Sequence, residues 1–279
     1  MAKKSKKKKV IFIIPAVLIA MLLLIILPCS LMTTVDNSLS VMSHTDKAPL
    51  MVAHRGLSSL APENTLPAVS LAAEYGFDGY EFDVHTTKDG QWVVIHDDTV
   101  DKMTDGSGNV EDFTLAEIRK LRIDAGNGLE NYESLRVPTL KEVLEENNRK
   151  DIFPVIEIKK CDVQYLPELK KMLDYYSLGD KAVIISFTKE YLEEYRKLDK
   201  DIKMLYLSSE PTAEDIEWCD SLNMGINFYY GNLYKSGKAL SLAKKKGMTI
   251  GAWTVDNTVY EDVLVLCGVE IITTNKLLP

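Results

Sequence analysis

The chain has 279 residues, 46% of them hydrophobic and 27% charged, with a formal net charge of -8. That length suits one large domain or two small ones, and the apolar content excludes a disordered or collagen-like chain. Lys3, Lys4, Lys6, Lys7, Lys8 and Lys9 are six of its 33 basic residues, so the rest of the chain is more acidic than the total suggests. Such a body repels a phosphate backbone, which argues against nucleic acid as a partner, and it suits a divalent cation.

Residues 1–9 read as a cytoplasmic polylysine tail. Val10 to Leu27 carries no charge, and the charge-free stretch runs on to Val35. A bilayer core takes roughly 20 apolar residues, so residues 10–32 are expected to form a transmembrane anchor. Lysines that precede a span stay on the cytoplasmic side. The expected location is therefore the cell membrane, single-pass, with the folded domain extracytoplasmic. A cleaved secretory signal is the alternative, and lipidation at Cys29 is another. The apolar run is longer than the roughly 7–15 residues of a signal, and Pro28-Cys29-Ser30 offers no clean small-x-small site. Residues 33–48, polar and aperiodic, read as a linker. That leaves residues 49–279, a length suited to one α/β barrel.

Short apolar runs occur at Leu50–Ala53, Gly79–Val84, Phe153–Ile158, Ala182–Phe187, Met204–Leu207, Gly225–Phe228, Thr249–Trp253 and Ile271–Thr274. Helical patterns lie between most of them: 66–75, 140–147, 166–176, 189–198, 213–222, 233–246 and 259–267. This alternation predicts a parallel sheet with crossover helices, and eight strands without a second domain predict a closed (β/α)8 TIM-type barrel. One run, Trp92–His96, comes after the second strand by only six residues. A parallel crossover needs a dozen or more, so this run is expected to pair antiparallel as a small hairpin insertion. Lys88-Asp89-Gly90 would make the turn and bring His96 back level with Phe82 and Asp83. Cys161, Cys219 and Cys267 are widely spaced with no Cys-x-x-Cys pair, and read as small core residues; a disulfide among them stays open. The oligomeric state is not encoded in any pattern.

Three of four histidines fall between positions 54 and 96. His54-Arg55-Gly56 closes the first strand, at the barrel end where active sites are built. Arg55 is a fork of donors suited to phosphate. Glu81, Asp83 and His85 alternate on one strand face, and two carboxylates at a barrel mouth repel unless a cation sits between them. Glu157 adds a third carboxylate, with Lys159 two residues on. Three oxygen ligands without cysteine predict one hard cation, Mg²⁺ or Ca²⁺. His54 and His96 remain as imidazoles fit for general acid and base work. His85 either orients a ligand or simply finishes its strand. Trp253 reads as a pocket wall or as plain core. Asn64 or Thr65 can cap the helix that begins near Leu66. The pocket walls are expected in loops such as 104–109 and 228–234.

The segments Ala53-His54-Arg55-Gly56, Pro62-Glu63-Asn64-Thr65, Glu81-Phe82-Asp83-Val84-His85, Thr87-Lys88-Asp89-Gly90 and Val94-Ile95-His96-Asp97 resemble the glycerophosphodiester phosphodiesterase family. Val137-Pro138-Thr139-Leu140, Ile156-Glu157-Ile158-Lys159, Ser186-Phe187 and Ala252-Trp253-Thr254-Val255 extend the resemblance over residues 50 to 275. It implies metal-dependent cleavage of glycerophosphodiesters to an alcohol and glycerol 3-phosphate. By the family pattern Glu81, Asp83 and Glu157 bind metal, His54 and His96 are the catalytic pair, and Arg55 and Lys159 hold phosphate. Glu63, His85 and Trp253 are accessory candidates. Members often end in Ile-Ile-Thr-Asp followed by Pro, whereas this chain has Ile272-Thr273-Thr274-Asn275 before Lys276. Lysophospholipids are candidate substrates beside glycerophosphodiesters. The alternatives are a phospholipase D-like hydrolase of lysophospholipids or sphingolipids, and a non-catalytic phosphodiester-binding barrel.

Overall fold

The structure is a computed structural model that describes residues 48–277 except residue 151. The expected tail, anchor and most of the linker, residues 1–9, 10–32 and 33–48, lie outside the described residues up to position 47. Among the described residues no helix is long and apolar enough to cross a membrane.

Nine strands carry the fold: β1 (Leu50–Ala53), β2 (Gly79–Thr86), β3 (Trp92–Val94), β4 (Phe153–Lys160), β5 (Val183–Ser186), β6 (Lys203–Ser208), β7 (Gly225–Tyr229), β8 (Ile250–Trp253) and β9 (Ile271–Thr274). All but β3 run parallel, and β1 pairs with both β2 and β9, so the eight close into a barrel. The helices are α1 (Leu66–Glu74), α2 (Leu115–Ile118), α3 (Leu140–Lys150), α4 (Leu166–Tyr175), α5 (Lys189–Leu198), α6 (Ala213–Ser221), α7 (Leu233–Lys245) and α8 (Thr258–Leu266). All except α2 connect successive barrel strands from outside.

Alternation along each strand builds two cores. On β4, Val155 faces the barrel interior with Val52, Val183, Ile185, Leu205, Leu207 and Ile271. Its neighbours Ile156 and Ile158 face outward, into the larger core beneath the helices with Tyr80, Phe82, Leu169 and Leu192. Period-2 patterning thus fills both faces of a parallel sheet. Thr65 caps α1 and accepts from the Ala68 amide, as the sequence allows.

The hairpin forms as expected. β3 pairs antiparallel with β2, Val84 opposite Val94, and Gly90 takes a left-handed φ of 74° in the turn. The strand stops at Val94, two residues short of the predicted end, but Ile95 still donates its amide to the Asp83 carbonyl at 3.0 Å. The insertion as a whole is larger than a hairpin. Between β3 and α3 the chain folds its own small core of Ile95, Val100, Val110, Ile118 and Val137, packed on Val93. No helical period runs through this stretch because short turns, α2 and isolated bridges carry it. Cys219 is buried, Cys161 and Cys267 are half-buried, and none of the three is in a disulfide.

Candidate active site

The inward positions at the C-terminal ends of the strands surround a cavity of about 110 Å³. One side is polar: His54 and Arg55 after β1, Glu81 on β2, His96 after β3, and Glu157 and Lys159 on β4. The other side is Ile185, Phe187, Leu207 and Trp253, with Asn227 on β7 and Thr254 and Thr273 completing the lining. The predicted wall loops, 104–109 and 228–234, contribute no lining residue; strand ends and the residues next to them form the walls instead. Tyr229 supports the wall from behind, its ring 5.4 Å from that of Trp253. Phe187 meets Trp253 edge to face at 5.5 Å.

The three expected carboxylates converge. One oxygen from each of Glu81, Asp83 and Glu157 lies within 4.8 Å of the others. Two of these groups have one oxygen held and the other open. Glu81 Oε2 accepts from the Arg55 amide at 2.9 Å, while its Oε1 is buried without a hydrogen-bond partner among the described residues. Asp83 Oδ2 accepts from Asn64 Nδ2 at 2.8 Å, and its Oδ1 is likewise unpartnered. Burial, then Asp83 and Glu157, raises the Glu81 pKa well above the carboxylate range. Burial, then Glu157, raises Asp83 to about 6. Open, buried, mutually repelling oxygens are what a hard cation neutralises, and the all-oxygen donor set fits Mg²⁺ or Ca²⁺.

Two cations flank the carboxylates. Lys159 Nζ lies 2.9 Å from Glu157 Oε1 and 3.9 Å from Asp83 Oδ1. Arg55 Nε lies 3.5 Å from Asp83 Oδ2, and Nη1 donates to Glu63 Oε1 at 2.9 Å. Arg55 is held in a left-handed conformation, φ 56°, which few non-glycine residues adopt and which turns its amide toward Glu81.

His54 and His96 each have Nδ1 engaged. His54 Nδ1 donates to Asn275 Oδ1 at 2.8 Å, and the amide is oriented by Asn275 Nδ2 donating to Asp256 Oδ2 at 2.9 Å. This tautomer leaves Nε2 of His54 as a lone-pair acceptor. Burial, then the charge of Arg55, lowers the His54 pKa to about 4. His96 Nδ1 pairs with Asp97 Oδ1 at 2.6 Å, and its Nε2 lies 3.3 Å from Lys159 Nζ.

The accessory candidates divide. Trp253 lines the cavity, and its Nε1 donates to the Asn227 carbonyl at 3.3 Å. Glu63 stands outside the carboxylate cluster, where it holds Arg55 and accepts from Lys102 at 3.0 Å. His85 does not line the cavity; its ring contacts the His96 carbonyl at 3.2 Å, beyond a register shift at Val84/His85. It thus supports the backbone that carries His96.

Asn64, Asp97, Lys102, Asn227, Asp256 and Asn275 are site residues that sequence reasoning missed. Asn64 and Asp97 stand inside the family motifs, and Asn275 at the point of departure from the family ending. Asn64 looked like a helix cap, but its left-handed backbone, φ 59°, lets its amide clamp Asp83 at both Oδ2 and the main-chain N–H. Nothing local marks Lys102, Asn227 or Asp256.

The chain is similar to known proteins over most of the described residues. Residues 54–278 match the Glycerophosphoryl diester phosphodiesterase family. A glycerophosphodiester phosphodiesterase of Caldanaerobacter subterraneus subsp. tengcongensis is 38% identical over 233 residues, covering 81% of this chain and 93% of its own length. A Bacillus subtilis glycerophosphodiester phosphodiesterase is 30% identical over 250 residues, 81% of this chain and 83% of its own. Among solved structures, an Oleispira antarctica phosphodiesterase in complex with the product sn-glycerol-3-phosphate superposes with a TM-score of 0.74. It is 27% identical and covers 82% of this chain and 94% of its own. The chain belongs to the glycerophosphoryl diester phosphodiesterase family and hydrolyses phosphoric diesters.

Proposed function

We propose that this phosphodiesterase depends on one divalent cation, Mg²⁺ or Ca²⁺, held by Glu81, Asp83 and Glu157, and acts on glycerophosphodiesters at the outer face of the cell membrane. The observation that carries the cation is the pair of buried oxygens, Glu81 Oε1 and Asp83 Oδ1, that have no hydrogen-bond partner among the described residues, beside Glu157. When bound, such a cation supplies Lewis-acid neutralisation of phosphoryl oxygens. Arg55 and Lys159 would hold the remaining phosphate charge.

His54 would begin as the base. Its Nε2 carries a lone pair, because Nδ1–H is committed to Asn275, and burial keeps the ring neutral. It would take the proton from the glycerol hydroxyl as that oxygen attacks phosphorus. His96, steadied at Nδ1 by Asp97, would give a proton to the departing alcohol. Water then opens the cyclic product with the two imidazoles in exchanged roles, which releases glycerol 3-phosphate.

The membrane reading rests on the lysines at 3–9 and the charge-free run that starts at Val10. Fractionation of cells that express the full chain, with protease added outside, tests it. Loss of the protein from intact cells is expected, and recovery of intact protein in the soluble fraction would overturn it. The test of function is release of glycerol 3-phosphate from glycerophosphocholine by the full chain in detergent, with and without EDTA. Chelator-sensitive release is expected; release indifferent to EDTA removes the cation. A second reading, phospholipase D-like action on lysophospholipids, takes support from the apolar wall of Ile185, Leu207, Phe187 and Trp253. Choline release from lysophosphatidylcholine, measured on the same preparation beside that from glycerophosphocholine, decides between them.

A further inference from the structure

Opposite the carboxylates, Asn227 is a buried polar side chain that the reaction scheme does not use. Asn227 stands at the centre of β7, and in the ring of eight strands β7 lies directly across from β2, which carries Glu81 and Asp83. Its neighbours in register are Leu207 on β6 and Gly251 on β8. Asn227 is 1% exposed and lines the cavity, yet its Oδ1 has no hydrogen-bond partner among the described residues.

A buried amide oxygen without a donor is costly, and it is uncommon unless something supplies one. Here nothing in the lining does, and neither Thr254 nor Thr273 bonds this oxygen. Ile185, Leu207 and Trp253 are apolar towards the cavity, and the one indole donor, Trp253 Nε1, is given to the Asn227 main-chain carbonyl. Gly251 makes the room: a β-carbon there would lie 2.8 Å from Asn227 Oδ1. The small residue keeps open the space into which the amide oxygen projects.

We infer that Asn227 Oδ1 accepts a hydrogen bond from the terminal hydroxyl of the glycerol moiety, and so selects diesters in which that hydroxyl is free. The inference rests on the proposed phosphate position on the opposite side of the cavity. With the phosphate near Arg55 and Lys159, the three-carbon unit extends across the cavity toward β7. Its carbons face Leu207 and Trp253, and its far end meets an acceptor. A lysophospholipid acylated on that oxygen has no proton to give and leaves Asn227 unpaired. The site would therefore favour deacylated glycerophosphodiesters over lysophospholipids. A pocket built to receive a hydroxyl discriminates strongly against the analogue that lacks it, because the buried acceptor is then stranded.

The test compares sn-glycerol 3-phosphate with 1,2-propanediol phosphate, which lacks only the terminal hydroxyl and keeps the one beside the ester. Calorimetric affinities are measured on the full chain in detergent with Mg²⁺ or Ca²⁺, for the wild type, Asn227→Leu and Gly251→Ala. The wild type is expected to prefer glycerol 3-phosphate by roughly 10- to 100-fold. In Asn227→Leu the two affinities should come within about threefold, chiefly through loss of the first. Gly251→Ala should reduce the preference while the asparagine remains. Equal affinities in the wild type, no binding of either phosphate, or a preference unchanged by Asn227→Leu would each overturn the assignment. Glycerophosphocholine turnover by the same preparation is scored separately. Turnover without discrimination sinks the role of Asn227 alone, while binding discrimination without turnover sinks the hydrolytic scheme alone.

Discussion

The mouth of the barrel has two halves built on the same geometry to opposite ends. From β1 to β4 nearly every inward residue at the rim is charged or an imidazole, and all are interlocked: Arg55 with Glu81, Asp83 and Glu63, and Lys159 with Glu157 and His96. From β5 to β8 the equivalent positions are Ile185, Leu207 and Trp253, with one amide among them. Strand position alone is therefore not what makes a site. The barrel offers eight equivalent strand ends, and the proposed reaction occupies the side where carboxylates are buried at an electrostatic cost. The apolar half supplies shape and dryness, which strengthens the fields of the polar half.

The sharpest way to break this division is to remove its centre. Glu81→Gln should lower glycerophosphocholine turnover by at least about a thousandfold, since both a ligand and the repulsion that recruits the cation are lost. The melting temperature of that variant in EDTA should equal or exceed the wild-type value, because a raised carboxylate pKa marks a group the fold carries at a cost. A drop in both stability and rate would make Glu81 structural instead. His54→Ala and His96→Ala should each lower kcat by roughly 10²- to 10⁴-fold with much smaller changes in KM. Full rate in either removes that imidazole from the chemistry.

A gentler probe uses protons. Asp83 is held near 6 in the folded chain, against roughly 3.9 when unfolded. Between these values folded Asp83 binds more protons than unfolded Asp83, so this group's contribution to the stability of the metal-free protein is lost as pH rises through the window. His54 and His85, both lowered to about 4, act in the opposite sense, so Asp83 is read by difference. Relative to Asp83→Asn, melting of the wild type in EDTA should fall from pH 5 to pH 8, and Mg²⁺ or Ca²⁺ should stabilise the wild type more at pH 8 than at pH 5. A wild-type melting temperature in EDTA that rises with pH relative to Asp83→Asn would contradict the cost assigned to this carboxylate. On the apolar side, Phe187→Ala is expected to raise KM about tenfold and leave kcat within about threefold, as for a residue that binds without reacting. If kcat fell more than KM rose, the wall would belong to the reacting half. The smallest change belongs to Lys102→Ala. Lys102 is half exposed and reaches the site through Glu63 Oε1, the oxygen that also accepts from Arg55, so activity should stay within about threefold.

Most of the scaffold was readable in the residues because barrel strands are buried on both faces and stand out as short apolar runs between amphipathic helices. The antiparallel β3 came from arithmetic: six residues cannot make a parallel crossover. The insertion after β3 escaped because its core is assembled from isolated valines and isoleucines in turns, without a period. In the site, charged residues on strands such as Glu81, Asp83 and Glu157 were conspicuous, since a carboxylate in an apolar run has no structural reason to be there. Asn64, Asn275 and Asn227 were not. An asparagine in a turn is ordinary, and an asparagine in a strand is silent until its neighbours across the barrel are known. Glu63 and His85 were visible, but their places behind Arg55 and behind the His96 carbonyl depend on loop and bulge geometry that spacing does not carry.

The link between His54 and Asn275 ties the first strand of the barrel to the residue just past the last, across 221 positions of chain. A ribosome adding about 5–20 residues per second makes His54 roughly ten to forty seconds before Asn275. Through that interval β1 lacks its partner β9, the ring is open, and the imidazole has nothing to set its tautomer. On the role proposed for His54, the nascent polypeptide would be inert toward phosphodiesters, its chemistry beginning only once the final strand has been delivered and docked.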